Sequence, residues 1–204
     1  LNREFAQLKK KLAELNNTVN DIKQKGKSCA ELYKSGVRYD GVYTINPDIL
    51  GSFQVRCDMQ TDGGRWTVFQ RRQDASVDFY RGWQDYKNGF GDLNGNFWLG
   101  LDRIHRLTKS EQNVLRVDLM DWTSDTAYAK YGSFSVASES DGYKLNLGSF
   151  SENCCGLLRK QSMGTGQCAK QTFNEKITFE LTDWQRQTGQ FLSVDMLKYF
   201  LYKI

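Results

Sequence analysis

The chain has 204 residues, of which 39% are apolar, 25% charged and 13% aromatic, with a single proline. This composition is typical of a globular protein and excludes collagen-like and disordered classes. The formal charge of +4 is small and acids are interleaved with the bases, so we expect no nucleic-acid partner. No run of about 18 apolar residues occurs, so we expect no membrane insertion.

The first 25 residues carry a heptad repeat of large apolar side chains. The members, separated alternately by four and three residues, are Leu1, Phe5, Leu8, Leu12, Leu15, Val19 and Ile22. Polar residues fill the positions between them, so the predicted helix has one apolar stripe and nothing of its own to cover it. We therefore predict a coiled-coil helix over residues 1–26, continued upstream, that oligomerises with self or sibling chains. The alternative is a helix that packs on its own domain.

The same segment contains the triplet Asn16-Asn17-Thr18, which makes Asn16 a possible glycosylation site in a secretory compartment.

Past Gly26 the pattern changes to short apolar runs separated by Asp-Gly, Gly-Gly and Asn-Gly turns. We predict strands at residues 66–70 and 114–119, a hairpin joining 133–136 to 143–147 around Asp141-Gly142, and a helix between residues 97 and 107. The predicted class is α+β with an antiparallel sheet.

Seven motifs in residues 28–150 follow one another in a fixed order. They are CAELY at 29–33, DGVYTI at 40–45, VRCDM at 55–59, TDGGRWTVFQRR at 61–72, VDFYRGW at 77–83, YKNGFG at 86–91 and NFWLGL at 96–101. Together they resemble the fibrinogen C-terminal domain family. The resemblance implies that residues 27–150 form the N-terminal and central parts of such a domain, with a central antiparallel sheet. A heptad arm directly before the domain is similar to the coiled-coil branch, which includes angiopoietins and fibroleukin-like proteins.

The resemblance also implies a disulfide between Cys29 and Cys57. Closing a loop of about 29 residues would contribute roughly 3 kcal/mol to stability. Three further cysteines, Cys154, Cys155 and Cys168, have no counterpart in the family. Cys168 could pair with Cys154 or Cys155, since adjacent cysteines rarely bridge each other. An interchain link, or half of a zinc site, remains an alternative.

Residues 151–204 do not match the family's motifs. In relatives this segment forms the ligand subdomain, with an Asp-rich calcium loop, a second disulfide and an aromatic-lined pocket for acetylated sugars or a peptide end. The acids here are too dispersed for a calcium loop, so we expect no calcium, other metal or cofactor. Residues 177–181 resemble a strand, and residues 191–201 fit either a strand or a helix.

No residue pattern indicates catalysis. His105 is the sole histidine, lies in a predicted helix and has no Ser or Cys nucleophile motif, so we interpret it as structural. The acids Asp118 and Asp121 could be imagined as a glycosidase pair, but their spacing is equally typical of a strand end. A set of large aromatics is assigned to the core: Trp66, Trp83, Phe90, Phe97, Trp98 and Trp122.

These observations predict a secreted oligomer that binds glycans or a cell-surface protein receptor multivalently, without catalysis. The alternative is a structural or dominant-negative assembly partner that oligomerises through the coil but lacks the ligand pocket.

Overall fold

The computed structural model describes residues 2–23, 26–121, 124, 126–153 and 197–204. Contacts between these residues divide the chain into two compact units, residues 1–67 and residues 68–204.

The first unit contains two helices, a hairpin and a short 3₁₀ turn. They are α1 (Asn2–Lys23), α2 (Cys29–Lys34), β1 (Gly41–Ile45), β2 (Phe53–Asp58) and the 3₁₀ turn (Thr61–Gly63), after which β3 (Trp66–Arg72) crosses into the second unit. Helix α2 begins where Ser28 caps it: the Ser28 hydroxyl accepts the Glu31 N–H at 3.4 Å. The Glu31 carboxylate in turn accepts the Lys27 N–H at 2.8 Å, which satisfies a further donor at the same helix end.

The hairpin of the first unit pairs β1 with β2 in antiparallel register, from Gly41 opposite Cys57 to Ile45 opposite Phe53. The inward side chains of this unit are completely buried and form its core: Cys29, Leu32, Ile45, Val55 and Cys57. Burial of apolar surface between α2 and the hairpin is therefore the main stabilising contribution here.

The second unit is built on an antiparallel sheet with the strand order β3-β10-β6-β7-β8. Its remaining elements are α3 (Trp83–Asn88), β4 (Phe90–Gly91), β5 (Phe97–Trp98), α4 (Leu101–Thr108), β6 (Asn113–Asp121), β7 (Thr126–Val136), a 3₁₀ turn (Glu139–Asp141), β8 (Leu145–Leu147), β9 (Phe150–Asn153) and β10 (Leu197–Lys203). Strand β9 also pairs with β7, β5 with β3, and β4 with β5. The predicted α+β class is confirmed.

The alternating pattern of β6 places its apolar residues in the core, as predicted. Leu115 and Val117 are fully buried and Leu119 is 3% exposed. The predicted hairpin is confirmed as well, because Phe134 in β7 pairs with Leu147 in β8. Gly142, at the turn signal between them, has a φ of 65°.

Helix α4 starts later than the sequence predicts. Phe97 and Trp98 form β5, in which Trp98 pairs with Gln70 of β3, and the helix begins only after Gly100, whose φ is 102°. The prediction of a helix from residue 97 is therefore wrong at its N-terminal end. Pairing with a neighbouring strand outweighs the helical spacing of the apolar residues at this end.

The final strand of the chain lies inside the sheet. β10 pairs with β3 on one side, Phe200 opposite Arg72, and with β6 on the other, Phe200 opposite Leu119. Residues 191–201 were compatible with either a strand or a helix, and from Leu197 onward they are a strand. The possible strand at 177–181 lies outside the described residues.

Candidate functional site

The apolar stripe of α1 is exposed wherever the structure describes its side chains. The exposed fractions are 63% for Phe5, 69% for Leu8, 60% for Leu12 and 65% for Leu15. The Lys9 ammonium lies over the Phe5 ring, 4.8 Å from its centroid, in a cation–π contact. Large apolar side chains at heptad spacing on an exposed helix face form a suitable surface for a partner helix.

The chain that follows α1 is attached to the hairpin of the first unit. Gly26 forms a parallel bridge with Ile45, and its carbonyl accepts the Asn46 N–H at 2.9 Å. Three residues later Cys29 forms a disulfide with Cys57 of β2, with 5.6 Å between their Cα atoms. The disulfide implied by the family resemblance is thus present and joins the start of α2 to the hairpin.

A tyrosine with two arginines lies on the surface of the first unit. The guanidinium carbon of Arg38 is 3.9 Å, and that of Arg65 6.0 Å, from the centroid of the Tyr33 ring. Arg38 is anchored, since its Nη1 donates to the carbonyl of Tyr33 and to that of Val37, the latter at 2.9 Å. We call Tyr33, Arg38 and Arg65 the arginine–tyrosine cluster.

Arg65 ends a turn in which four consecutive residues have positive φ: 51° for Asp62, 84° for Gly63, 72° for Gly64 and 75° for Arg65. Sequence reasoning recognised Gly63-Gly64 as a turn but missed that Arg65 takes the same backbone region. The available signal was its position directly after two turn glycines.

The second unit holds a partly buried ion pair on β6. The Arg116 Nε donates to an Asp118 oxygen at 2.8 Å, and the guanidinium lies 3.8 Å from the Tyr128 ring centroid. Arg116 is only 7% exposed. Asp118 is therefore engaged as an ion-pair partner, which does not favour a glycosidase role; the side chain of Asp121 lies outside the described residues.

The solitary histidine has a structural contact. One ring nitrogen of His105, Nδ1, lies 2.8 Å from the carbonyl oxygen of Val136, which can only accept, so this nitrogen carries the proton. The contact joins α4 to the end of β7. Within the described ranges, no three histidine, cysteine or acidic side chains are grouped to hold a metal ion.

Two tyrosines of the second unit have perturbed hydroxyls. Burial raises the pKa of Tyr86 above its ordinary value, and its hydroxyl donates to the Phe79 carbonyl at 2.7 Å. Burial, followed by the hydrogen bond to the Asp102 carboxylate, likewise raises the pKa of Tyr143. The Tyr86 hydroxyl thus joins α3 to the loop before it, and the Tyr143 hydroxyl joins the segment before β8 to α4, which are structural contacts.

The aromatic residues assigned to the core divide into two groups. Phe97 and Trp98 are 1% and 2% exposed, and the Trp98 ring contacts Phe69 edge-on with the centroids 6.0 Å apart. Trp66, Trp83 and Phe90 are half-buried.

Several predicted site residues lie where the structure describes no side chain. These are Leu1, Asn16, Val19, Ile22, Trp122, Cys154, Cys155 and Cys168. In the part of the chain that is described, no helix combines the length and apolar character needed to cross a membrane.

The sequence model of the family described as "Fibrinogen beta and gamma chains, C-terminal globular domain" matches residues 25–190. The chain belongs to this family. The match extends past residue 150, where the resemblance recognised in the sequence ends, and includes residues 151–190.

Curated relatives named Fibrinogen C domain-containing protein 1 are similar to this chain. The protein of Xenopus tropicalis is 49% identical over 144 residues, which is 68% of this chain and 32% of the relative. The human protein is 51% identical over 140 residues, 66% of this chain and 30% of the relative. The alignments thus span about a third of the relatives' own length.

Solved structures show the same fold. The fibrinogen-like globe domain of human ANGPTL6 superposes with a TM-score of 0.60 at 42% identity, covering 62% of this chain and 57% of that one. Lamprey fibrin D-dimer, solved in complex with the peptide Gly-His-Arg-Pro-amide, gives a TM-score of 0.59 at 33% identity and covers 74% of this chain and 53% of that one.

Proposed function

We propose that this chain is a secreted, oligomeric recognition protein whose fibrinogen-like domains bind glycans or a protein receptor multivalently, without catalysis. The observation that carries the proposal is the exposed stripe of Phe5, Leu8, Leu12 and Leu15 next to a domain of this family. The occupant of that stripe is the same face of α1 in another copy of the chain. Tethering several domains on one coil raises the effective concentration at a repetitive ligand, so weak single contacts add up.

The disulfide supports an extracellular location. Cys29 and Cys57 are bridged and fully buried, and such bonds persist in oxidising compartments.

Light scattering on the purified chain, with and without reductant, tests the oligomer. The wild-type chain should give the mass of a defined oligomer, and replacing Leu8 and Leu12 by serine should give the monomer. The matched control replaces Lys10 and Glu14 by serine. These residues have the same spacing but face away from the stripe, so this variant should remain oligomeric. A monomeric wild-type chain, or an oligomer unaffected by the stripe variant, would contradict the proposal.

Recognition is tested on the same sample with an array of acetylated glycans. Binding by the wild-type oligomer, weakened about tenfold or more in the stripe variant through loss of avidity, is the expected result.

The second candidate function is that of an assembly partner without its own ligand. It is favoured by the absence of the family's calcium-loop and pocket motifs from residues 151–204. Stable co-assembly with a full-length relative, together with a blank glycan array, would favour this function over the first.

A further inference from the structure

The arginine–tyrosine cluster brings two like charges together on an exposed surface. Given the two distances to the Tyr33 ring, the guanidinium carbons of Arg38 and Arg65 are no more than about 10 Å apart, the sum of those distances. Both arginines are exposed. Such a pair repels unless an anion lies near both groups.

Among the described residues, no carboxylate forms an ion pair with either of these arginines. The ion pairs found there join other residues, and neither Arg38 nor Arg65 has one. The acids closest in sequence to Tyr33 and Arg38 are used elsewhere: Glu31 accepts the Lys27 N–H at 2.8 Å, and Asp40 accepts the Met59 N–H at 2.7 Å. A guanidinium carries five N–H donors. Those of Arg65 can be directed to an anion, as can the donors of Arg38 that do not bind the Tyr33 and Val37 carbonyls.

We propose that Tyr33, Arg38 and Arg65 form a binding site for a sulfate ester on a glycan chain. Guanidinium groups hold tetrahedral oxyanions through paired, charge-assisted hydrogen bonds. The Tyr33 ring fixes the direction of both arginines by cation–π contact. By naming a sulfated glycan as the ligand, this inference rests on the proposed function, but its test is separate because the site uses neither the α1 stripe nor residues 151–204.

A neighbouring aromatic favours a sugar as the carrier of the anion. Tyr39 follows Arg38 directly and is 79% exposed. Its backbone is held in place because its carbonyl accepts the Tyr43 hydroxyl at 2.8 Å. An exposed tyrosine adjacent to Arg38 in the sequence offers an apolar ring on which a pyranose of the same ligand can lie. The chain lacks the basic stripe that nucleic acid requires.

The backbone at Arg65 supports a role in binding. A φ of 75° is unfavourable for any residue with a Cβ. Strain of this kind persists at sites where the side chain has a use. Glycine would be the stable choice at this position, and arginine occupies it.

The test measures binding of a heparin-derived hexasaccharide to the full 204-residue chain by calorimetry, with affinity expressed per chain. Arg38→Gln and Arg65→Gly should each weaken binding about tenfold or more, as expected for loss of charge-assisted hydrogen bonds. Arg65→Gly should also raise the melting temperature, so its loss of affinity cannot come from unfolding. The control Lys144→Gln removes the same charge from an exposed lysine of the second unit and should bind like wild type.

Three results would overturn the proposal. One is unchanged affinity in both arginine variants, and another is equal binding of the chemically desulfated hexasaccharide. The third is tighter binding of a single-stranded oligodeoxynucleotide of equal charge, which would assign the cluster to nucleic acid.

Discussion

At the scale of single residues, the turn from Asp62 to Arg65 shows two separate reasons why a position with positive φ favours glycine. One is a steric clash of the Cβ atom with its surroundings, and the other is the intrinsic backbone preference. Gly64 has φ 72° and no room for a side chain, because a Cβ there would collide with the carbonyl oxygen of Met59. Arg65 has nearly the same φ but carries an exposed side chain. The first position therefore demands glycine for space, while the second would only prefer it for its backbone.

The two positions should respond to substitution in opposite directions. Arg65→Gly should stabilise the fold by roughly 0.5–1 kcal/mol, since the left-handed region costs a non-glycine residue about 1–2 kcal/mol and glycine loses part of that gain through backbone entropy. Gly64→Ala should destabilise it by about 2 kcal/mol or more. Urea unfolding at neutral pH measures both. A destabilised Arg65→Gly variant would show that the arginine side chain holds the turn.

Half-buried Tyr86 and buried Tyr143 predict a loss of stability in alkaline solution. Their pKa values are raised above the ordinary 10.0 in the folded chain. Above about pH 10 the unfolded chain therefore loses these protons first, and the stabilisation that is complete below that pH disappears as the pH rises.

The urea midpoint should accordingly be flat from about pH 8 to 9.5 and fall steeply towards pH 11, near the ordinary tyrosine pKa. The double variant Tyr86→Phe, Tyr143→Phe should start lower, because two hydrogen bonds are lost, and decline less steeply. If the urea midpoints of the wild type and the double variant fell in parallel with rising pH, groups other than these tyrosines would cause the loss of stability.

At the scale of secondary-structure elements, β10 is the strand on which the sheet of the second unit depends. It pairs with β3 and β6 at once, so without it two strands would present unpaired backbone to solvent. Phe200 pairs with Arg72 of β3 on one side and with Leu119 of β6 on the other.

Phe200→Pro should therefore prevent cooperative folding, because proline removes an N–H from a central strand and cannot be accommodated there. The control Ile204→Pro lies just past the end of β10 and should melt like wild type. Thermal melts and size-exclusion profiles distinguish the two variants, and we expect aggregation only for Phe200→Pro. A cooperative melt for Phe200→Pro would mean that β10 contributes little.

An element could be predicted from the sequence where the interactions that form it lie within a few residues of one another. The strand of residues 114–119 and the hairpin around Gly142 follow from alternation and turn chemistry within a few residues. β5 was missed because its formation depends on Gln70, which lies 28 positions before Trp98 in the pairing register. The arginine–tyrosine cluster joins residues from α2, the following loop and the turn before β3, a proximity that no spacing rule contains.

At the scale of the whole molecule, the chain combines an arm with an uncovered apolar stripe and a domain of the fibrinogen C-terminal family. The family resemblance could be predicted because its motifs are long and follow a fixed order. Among the described residues of 151–204, β9 and β10 are defined by pairing with β7, β3 and β6, and such pairing depends on partners outside the segment that local signals do not contain.

The position of β10 also bears on how the protein is made. β3 ends at Arg72, yet its partner β10 is completed only at Lys203, 131 residues further along the chain. At bacterial or eukaryotic elongation rates of about 5–20 residues per second, on the order of ten seconds separates the two. During that time the nascent chain holds an incomplete sheet with exposed strand edges. Unpaired edges of this kind can pair with other chains, so the sheet of the second unit stays open to aggregation until Lys203 has left the ribosome.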